Sequence, residues 1–345
     1  MTVMRCSMTF FHKESPLWWL LALPYWGAGV AVAQPAVETG LPEKQIHGRL
    51  EPMSGTVIEN VWIRTARGPC IVVRAGVQDV VIRNARIGPC GQDHVNDYGV
   101  LILEGAHNIT VSGNVIHGVS TGVKAYQAAH PLTIERNRFF GIRGPLWSGQ
   151  AVQFNGVAGG QGASRIRCNV SDASVPGWPS AYEDHISLYN SHGTPGNPIL
   201  VEFNRMRGGS SRTGGGITIG DKGGSWQVVR GNTVVRVANS GIGVAGGHHI
   251  TVLDNKVDNR GESAQTLTHL AYFVRALSPC GSIRLAGNRG IARLWNWGEP
   301  HGDTVPGYRH GPQRCADVDD ADNQFGDSTL SPALFDEVPP ACAKP

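Results

Sequence analysis

The sequence predicts an all-β fold, a single-stranded right-handed parallel β-helix of about nine to ten coils with an irregular C-terminal cap. Two observations predict it. An asparagine recurs at intervals of 23 to 35 residues, each time at the end of a short run rich in valine and isoleucine. Glycine makes up 46 of 345 residues, nearly twice the usual share of roughly 7%, which favours many short strands joined by tight turns.

The recurring asparagines mark one corner of the predicted coil. They are Asn60, Asn84, Asn114, Asn137, Asn169, Asn204, Asn232, Asn255 and Asn288. The shortest spacing, 23 residues, is the length of a bare coil, and the longer spacings are that coil with an inserted loop. Asparagine tolerates the left-handed backbone conformation, and its amide both donates and accepts hydrogen bonds. We therefore expect each asparagine to adopt that conformation and to bond to the asparagines above and below it.

Each coil has a second strand, usually opened by glycine or another small residue. The clearest examples start at Gly99, Gly122, Ala151, His185, Gly216 and Gly241. Their second and fourth residues are apolar and should point into the core, so the third and fifth residues face solvent. The third positions form the column Leu101, Lys124, Gln153, Ser187, Thr218 and Gly243. The fifth positions form the column Leu103, Tyr126, Asn155, Tyr189, Gly220 and Ala245.

These coils and strand starts resemble the pectate-lyase-like superfamily of bacterial secreted β-helix proteins, over about residues 56–290. The resemblance implies the fold, and a site on one exposed sheet that is walled by inserted loops. It leaves the activity open, because that superfamily includes lyases, hydrolases, epimerases and non-catalytic adhesins. A leucine-rich repeat lacks support because its leucine consensus is absent, and a β-propeller would repeat at roughly 40 residues or more.

The N-terminus is predicted to be an export signal over residues 1–33. An apolar run from Leu17 to Leu23 follows basic residues, and the segment ends in the A-x-A cleavage site Ala31-Val32-Ala33. A retained membrane anchor is the alternative, which Pro24 disfavours. The mature chain then divides into residues 34–55, a lead-in cap, residues 56–290, the β-helix, and residues 291–345, an irregular C-terminal segment. We expect a periplasmic or secreted protein that has no membrane association after cleavage.

Six cysteines follow the predicted signal, an even number that permits disulfides in an exported chain. Cys70 and Cys90 each follow Gly-Pro within one repeat of each other, which favours that pair, and the remaining pairing stays open. No Cys/His spacing indicates zinc. The formal net charge is only +3, without the basic stripe that nucleic-acid binding requires. We expect a monomer whose partner is an acidic polysaccharide and not a nucleic acid.

Polar residues concentrate on three consecutive coils of the outward columns. The candidate site residues there are Lys124, Tyr126, Gln153, Asn155, Ser187 and Tyr189. Neighbouring strands lie about 4.8 Å apart, so this cluster spans roughly 10 Å, the size of a sugar. Trp147, in a loop beside the columns, and Asp221, at the end of the next strand, are further substrate-binding candidates.

The run Tyr182-Glu183-Asp184-His185 departs from the repeat. His185 stands where neighbouring coils have glycine or alanine, and such departures are expected at functional positions. We predict that His185 is catalytic, together with Lys124, Tyr126 and Tyr189. Glu183 and Asp184 are candidate ligands for a cation such as Ca²⁺, and no other cofactor is indicated. The alternative is that the aspartate and histidine only cap the strand.

A surface of lysine, histidine and tyrosine favours chemistry on an acidic sugar. In β-elimination, a base removes the proton beside a uronate carboxylate, and an acid such as tyrosine protonates the leaving oxygen. C5-epimerisation begins in the same way. We therefore predict a polysaccharide lyase or C5-epimerase, with His185 or Lys124 as base and Tyr189 or Tyr126 as acid.

Two other functions stay open. A non-catalytic carbohydrate-binding or cell-surface β-helix would stack sugar rings on the aromatic residues Tyr126, Tyr189, Trp147 and Trp178. Glycoside hydrolysis needs two carboxyl groups about 5–9.5 Å apart. The alignment places Asp221 six residues beyond Asp184 along the strand, near 20 Å at about 3.3 Å per residue, so hydrolysis is the less favoured reaction.

Overall fold

The computed structural model describes residues 44–92, 94–237, 239–260, 270–274, 279–296, 299–305, 308–310 and 315–343. The predicted signal segment and residues 34–43 of the lead-in cap lie outside these ranges. Within them, no helix has the length and apolar character needed to cross a membrane. Their helical structure consists of three short 3₁₀ turns, Leu146–Ser148, Pro332–Asp336 and Pro340–Cys342.

The chain winds as a right-handed parallel β-helix, which confirms the predicted fold. Each coil passes in turn through three parallel sheets, which we call sheet C, sheet A and sheet B. Sheet A contains Lys44–His47, Val61–Thr65, Arg86–Cys90, Val115–Val119, Arg138–Ile142, Val170–Asp172, Arg205–Arg207, Thr233–Val235, Lys256–Asn259, Arg289–Asn296 and Gln324–Phe325, with Glu299–Val305 added antiparallel.

The other two sheets share one strand, Gly215–Arg230, which runs through the corner between them. Sheet B also contains Ile71–Val73, Val100–Ile102, Val123–Tyr126, Gln150–Asn155, Asp184–His192, Ser240–Val244, Leu270–Val274 and Tyr308–His310. Sheet C also contains Val57–Glu59, Gln78–Arg83, His107–Ser112, Leu132–Glu135, Ser164–Arg167, Ile199–Glu202, Gly247–Leu253, Cys280–Ala286 and Ala316–Ala321.

Alternation along the strands produces the apolar interior. Val152 and Phe154 are fully buried, and they pair with Val123 and Ala125 of the preceding coil, which are buried too. The same positions therefore stack coil upon coil into one continuous core. Burying each large aliphatic or aromatic side chain stabilises the fold by about 1.5–3 kcal/mol, and the polar residues between them are left on the outside.

An asparagine ladder runs along the corner between sheets C and A. Its members are Asn114, Asn137, Asn169, Asn204, Asn232, Asn255, Asn288 and Asn323. Nδ2 of Asn204, for example, donates to Oδ1 of Asn232 at 3.0 Å and to the carbonyl of Ile166 at 2.8 Å. Its Oδ1 accepts from the backbone N–H and from Nδ2 of Asn169. All the hydrogen-bonding capacity of the buried amide is therefore used.

The first two predicted members, Asn60 and Asn84, lie one residue out of this ladder. Ala85 occupies the ladder position in its coil, and its N–H donates to Oδ1 of Asn114 at 2.9 Å. Asn60 and Asn84 have φ values of 53° and 49°. They therefore occupy the same position in their coils as Gly113 (φ 65°), the residue before the first ladder asparagine. The predicted left-handed conformation is therefore confirmed for Asn60 and Asn84 but wrong for the ladder asparagines, because in their coils the preceding residue takes that conformation.

The C-terminal segment first continues the helix and then turns back. Ala316–Ala321 pairs with Cys280–Ala286, so coil stacking extends past residue 290. Residues 327–342, which we call the C-terminal strap, return along the outer side of sheet A. Leu334 and Phe335 of this strap are buried there with Val235.

Three disulfides join the coils. Cys70–Cys90 confirms the pair that the sequence favours, and Cys168–Cys342 and Cys280–Cys315 complete the pairing that it leaves open. Cys168–Cys342 ties the end of the strap to the middle of the helix. Three disulfides are typical of a periplasmic or extracellular protein, because reducing compartments keep thiols free.

Candidate functional site

The outer side of sheet B carries the predicted polar columns in register. Lys124 pairs with Gln153, which pairs in turn with Ser187. The next column holds, in the same order of coils, Tyr126, Asn155 and Tyr189. Because neighbouring strands lie about 4.8 Å apart, these residues form one patch on three consecutive strands. We call this patch, extended by Thr218 on the next strand, the sheet-B face.

The register changes on that next strand. Ser187 pairs with Thr218 as expected, but Tyr189 pairs with Asp221, because the ladder shifts between these two pairs. Gly220 lies at the irregularity with φ of 65°, a conformation that glycine adopts at little cost. The placement of Gly220 in the fifth column was therefore wrong. Asp221 takes that place at the edge of the sheet-B face.

Lys124 has a half-buried position on this face. Its Nζ lies 5.1 Å from the ring centroid of Tyr98, just before the preceding strand of sheet B. Burial lowers the pKa of Lys124, because the charged ammonium loses hydration there. Tyr126, two residues further along the same strand, is 42% exposed. A partly desolvated amine and an accessible phenol therefore face the same side of one strand.

Two amides lie between this pair and the acidic end of the face. Asn155 is half-buried between Tyr126 and Tyr189 in the register of the sheet. Oε1 of Gln153 is buried and has no hydrogen-bond partner in the described part of the chain. A buried polar atom without a partner is unfavourable in a folded protein, so this oxygen is suited to accept a hydrogen bond from a ligand hydroxyl, while Nε2 of the same amide is a donor.

Asp184 forms the acidic end of the face. Its Oδ1 accepts hydrogen bonds from the N–H of Gly215 at 2.9 Å and from the hydroxyl of Thr218 at 2.6 Å. A Cβ atom added at Gly214 would lie only 2.8 Å from this oxygen and 1.9 Å from the carbonyl oxygen of Glu183. The Gly214-Gly215 pair thus lets the next coil approach closely enough to hold the carboxyl group.

The protonation of Asp184 follows from this enclosed position. Burial, together with the charges of Glu183 and Asp221, raises its pKa to about 7 despite the two hydrogen bonds. Burial also raises the pKa of Asp221. The carboxyl of Asp184 touches Thr218, which is three residues or about 10 Å of strand before Asp221. Asp184 lies beside Gly215 as the alignment predicted, but its carboxyl group is closer to Asp221 than the backbone separation near 20 Å, because the side chain reaches along the next strand.

A loop wall stands beside the acidic end. A cavity of about 340 Å³ lies there, lined by Leu146, Trp147, Glu183 and residues 210–213. Trp147 is 70% exposed, and Glu183 accepts hydrogen bonds from the hydroxyls of Ser211 at 2.7 Å and Thr213 at 2.5 Å. An exposed indole next to a fixed carboxylate suits a sugar ring, which has an apolar face and polar hydroxyls.

Glu183 and Asp184 do not fit the predicted cation site as they stand. Their carboxylates accept hydrogen bonds from different protein groups, one from loop hydroxyls and the other from the next coil. In the ranges that the structure describes, no group of three or more His, Cys, Asp or Glu side chains could hold a metal ion. Ca²⁺ usually takes about six to eight oxygen ligands.

His185 does not lie on the sheet-B face. It is fully buried, with Nδ1 at 2.6 Å from Oγ of Ser171 and Nε2 at 2.8 Å from the carbonyl oxygen of Gly208. Burial lowers its pKa to about 4. The first position of these strands points toward sheet A, where a Cβ at Gly122 would meet Phe139 at 2.6 Å. The predicted role of His185 as a base does not fit this interior placement.

Tyr98 and the Gly214-Gly215 pair belong to the site but were missed by the sequence analysis. Tyr98 precedes a strand and matches no repeat position, so no periodic signal identified it. The glycine pair lies next to the strand start predicted at Gly216, and its effect on the site depends on the carboxyl of Asp184 in the preceding coil.

No protein-family model matches the chain, and no curated protein matches it. Similar solved structures include an alginate lyase from Paenibacillus sp., with 12% identity, 81% of this chain and 99% of that chain covered, and a TM-score of 0.43. A DFA-IIIase from Arthrobacter chlorophenolicus A6 has 12% identity, 83% of both chains covered, and a TM-score of 0.42. A Streptococcus pneumoniae surface protein and adhesin has 13% identity and a TM-score of 0.38, and the match covers 77% of this chain and 68% of that chain. These likenesses are too distant to assign an activity.

Proposed function

We propose that the chain is an exported enzyme that cleaves an acidic polysaccharide by β-elimination on the sheet-B face. The observation that carries this proposal is the register that brings an amine, two amides and two phenols together on three consecutive strands. Elimination from a uronate needs a base, a group that neutralises the carboxylate, and an acid for the leaving oxygen. The three disulfides support export.

Lys124 supplies the base. Because burial lowers its pKa, a larger share of the amine is unprotonated than in a lysine exposed to water. The free amine takes the proton from C5 of the uronate. The amide groups of Gln153 and Asn155 donate hydrogen bonds to the carboxylate and stabilise the negative charge that develops on it.

Tyr126 supplies the acid. Its phenol protonates the glycosidic oxygen while the C4–O bond breaks and the C4=C5 double bond forms. The proton that Lys124 has taken up then returns to the phenolate, directly or through water, which restores both groups. Tyr189 lies two coils further along the same column and binds a neighbouring sugar ring.

Glycoside hydrolysis is a second candidate, favoured by the acidic end of the face. Inverting hydrolysis uses a protonated and an ionised carboxyl group about 6.5–9.5 Å apart. Asp184, with its pKa raised to about 7, would protonate the leaving oxygen, and Asp221 would activate water. The products of this reaction carry no double bond.

One experiment separates the two reactions. Full-length protein is incubated with a panel of polyuronates, with and without Ca²⁺, while ultraviolet absorbance and reducing ends are followed together. Elimination raises both signals, and hydrolysis raises reducing ends alone. Lys124→Met should reduce elimination about 10²–10⁴-fold, whereas Lys256→Met on sheet A should not change it. Asp184→Asn should abolish hydrolysis selectively. No signal on any polyuronate contradicts both cleavage reactions.

A further inference from the structure

The outer side of sheet A has two halves that differ in how their basic residues are paired. In the C-terminal half, the strap supplies the partners. Nη1 of Arg205 donates to the carbonyl of Phe335 at 2.7 Å, and Arg289 forms a 2.6 Å ion pair with Asp327. The charges of Arg205 and Arg289 are therefore engaged by the strap.

Three arginines in the N-terminal half have no acidic partner in the described part of the chain. Arg64, Arg86 and Arg138 form no ion pair within the residues that the structure describes. Arg86 and Arg138 both pair with Val115 of the intervening strand, so they stand in one outward column two coils apart. Two coils correspond to roughly 10 Å. Arg64 lies on the preceding strand of sheet A, Val61–Thr65, in the adjacent column.

Each of these guanidinium groups packs against an aromatic ring. Arg64 and Arg86 lie 5.5 Å and 4.5 Å from the ring centroid of Trp62. Arg138 lies 5.6 Å from the ring centroid of Phe140. Contact with a ring orients a guanidinium without neutralising its charge. The three groups therefore keep their full charge for an anion.

His117 contacts one of these arginines, Arg86, directly. Its Nε2 accepts a hydrogen bond from Nε of Arg86 at 2.8 Å. Burial, with the nearby charge of Arg86, lowers the pKa of His117 to about 3, so the imidazole is neutral and does not repel the guanidinium. The ring stacks on Phe140 and meets Trp178 edge to face at 4.7 Å. This packing holds Arg86 in a fixed direction.

A cavity of about 520 Å³ adjoins the same surface. Its lining includes Trp178, Pro89, Arg143 and two glycines of sheet A, Gly118 and Gly141. A Cβ at Gly141 would lie 2.9 Å from the Trp178 ring, so the bare backbone makes room for the indole that walls the cavity. The cavity is large enough for a sugar ring next to the arginine column.

We propose that this arginine surface, formed by Arg64, Arg86 and Arg138 over Trp62 and Phe140, binds an anionic polysaccharide at a site separate from the sheet-B face. Guanidinium groups recognise carboxylate and sulfate through paired hydrogen bonds. Charges placed at multiples of the coil spacing suit a polymer whose anionic groups repeat regularly. Through this surface, the protein would hold its polymer on sheet A while sheet B acts on it. This inference rests on the class of polymer in the proposed function, and it does not depend on which reaction takes place.

The test measures binding with full-length protein that carries Lys124→Met and Asp184→Asn, so that both proposed cleavage reactions are suppressed. Polygalacturonate and alginate are the probes, with double-stranded DNA at the same charge concentration as the comparison. Adding Arg86→Gln and Arg138→Gln should raise the Kd for the polyuronates about tenfold or more and weaken its salt dependence. The matched control, Arg83→Gln with Arg284→Gln on sheet C, removes two arginines that are ion-paired and should change Kd less than about twofold.

Two further results decide the proposal. Replacing Arg86 and Arg138 by lysine should recover part of the affinity, with unchanged thermal unfolding showing that all variants are folded. Equal weakening in test and control pairs, no binding of either polyuronate, or equally tight binding of DNA would overturn it. Arginine-dependent binding without cleavage activity would support this surface while contradicting the proposed reactions, so the two failures are distinguishable.

Discussion

Two rows of polar residues run along this solenoid, the asparagine ladder and the sheet-B face, and only the first is regular. The ladder repeats one residue from Asn114 to Asn323 and uses the hydrogen-bonding capacity of each internal amide. The sheet-B face changes from Lys124 to Gln153 to Ser187 and leaves a buried amide oxygen without a partner. A repeated side chain can satisfy itself with its own copies. A varied side chain cannot, so its polar atoms can stay without a partner within the fold, as Oε1 of Gln153 does.

The same contrast appears between two adjacent residues. His185 points into the core, where a hydroxyl and a carbonyl group engage both ring nitrogens. Asp184, one residue earlier, has a carboxyl group shared between its own coil and the next, and its pKa is raised to about 7. His185 is hydrogen-bonded at both ring nitrogens and neutral, whereas Asp184, buried between two coils, has a pKa close to neutral pH.

Removing one asparagine from the ladder should have the largest effect on the stability of the fold. Asn204→Ala leaves the N–H and Nδ2 of Asn169 and the carbonyl of Ile166 without their partner. At about 1–3 kcal/mol for each of these three unsatisfied buried groups, we expect the free energy of unfolding to fall by about 3–9 kcal/mol. Urea denaturation measures this loss.

The matched control for the ladder is Asn84→Gly. Asn84 lies one residue outside the ladder with φ of 49°, a conformation that glycine adopts readily, so the loss should stay below about 1 kcal/mol. Equal losses in the two variants would contradict the distinction between ladder and corner residues.

Low pH should destabilise the fold through the buried His185. Burial lowers the pKa of His185 to about 4, so the folded state binds fewer protons than the unfolded state between pH 6.5 and 4. Its contribution to stability is full above the unfolded pKa and is lost as the pH falls through that window, by up to about 3 kcal/mol. Thermal unfolding of His185→Gln should be less acid-sensitive than wild type, whereas His192→Gln, at an exposed histidine, should match wild type.

Asp184 should show the opposite dependence. Its pKa is raised to about 7, so the folded state binds more protons between pH 4 and 7, and this stabilisation is lost as the pH rises. Asp184→Asn should therefore be more stable than wild type at pH 8, by up to about 4 kcal/mol, and similar to it at pH 4. A stability difference that does not vary with pH would contradict the assigned protonation.

The smallest effect is expected at the loop wall. Trp147→Ala removes an indole that is 70% exposed, so stability should not change, while KM for a cleaved polymer should rise several-fold, about 1 kcal/mol, with kcat retained. Val338→Ala, at an exposed apolar residue of the strap, is the control. A change in kcat alone would place Trp147 outside substrate binding.

The sequence by itself determined the fold, the two outward columns and one disulfide. The coil period and the alternation of apolar residues are local patterns, and together they place Lys124 beside Gln153 and Cys70 near Cys90. They could do so because, in a parallel β-helix, each residue packs on the residue one coil away in the same register.

Only the tertiary structure decided how side chains depart from that register. In the structure, Asn84 lies outside the ladder and His185 points inward. The carboxyl of Asp184 contacts Thr218, and the C-terminal strap packs along sheet A. Each outcome depends on space left by a neighbouring coil or by a segment remote in the chain. A one-residue shift or a missing Cβ in that neighbour changes which groups meet, and no periodicity in the sequence records it.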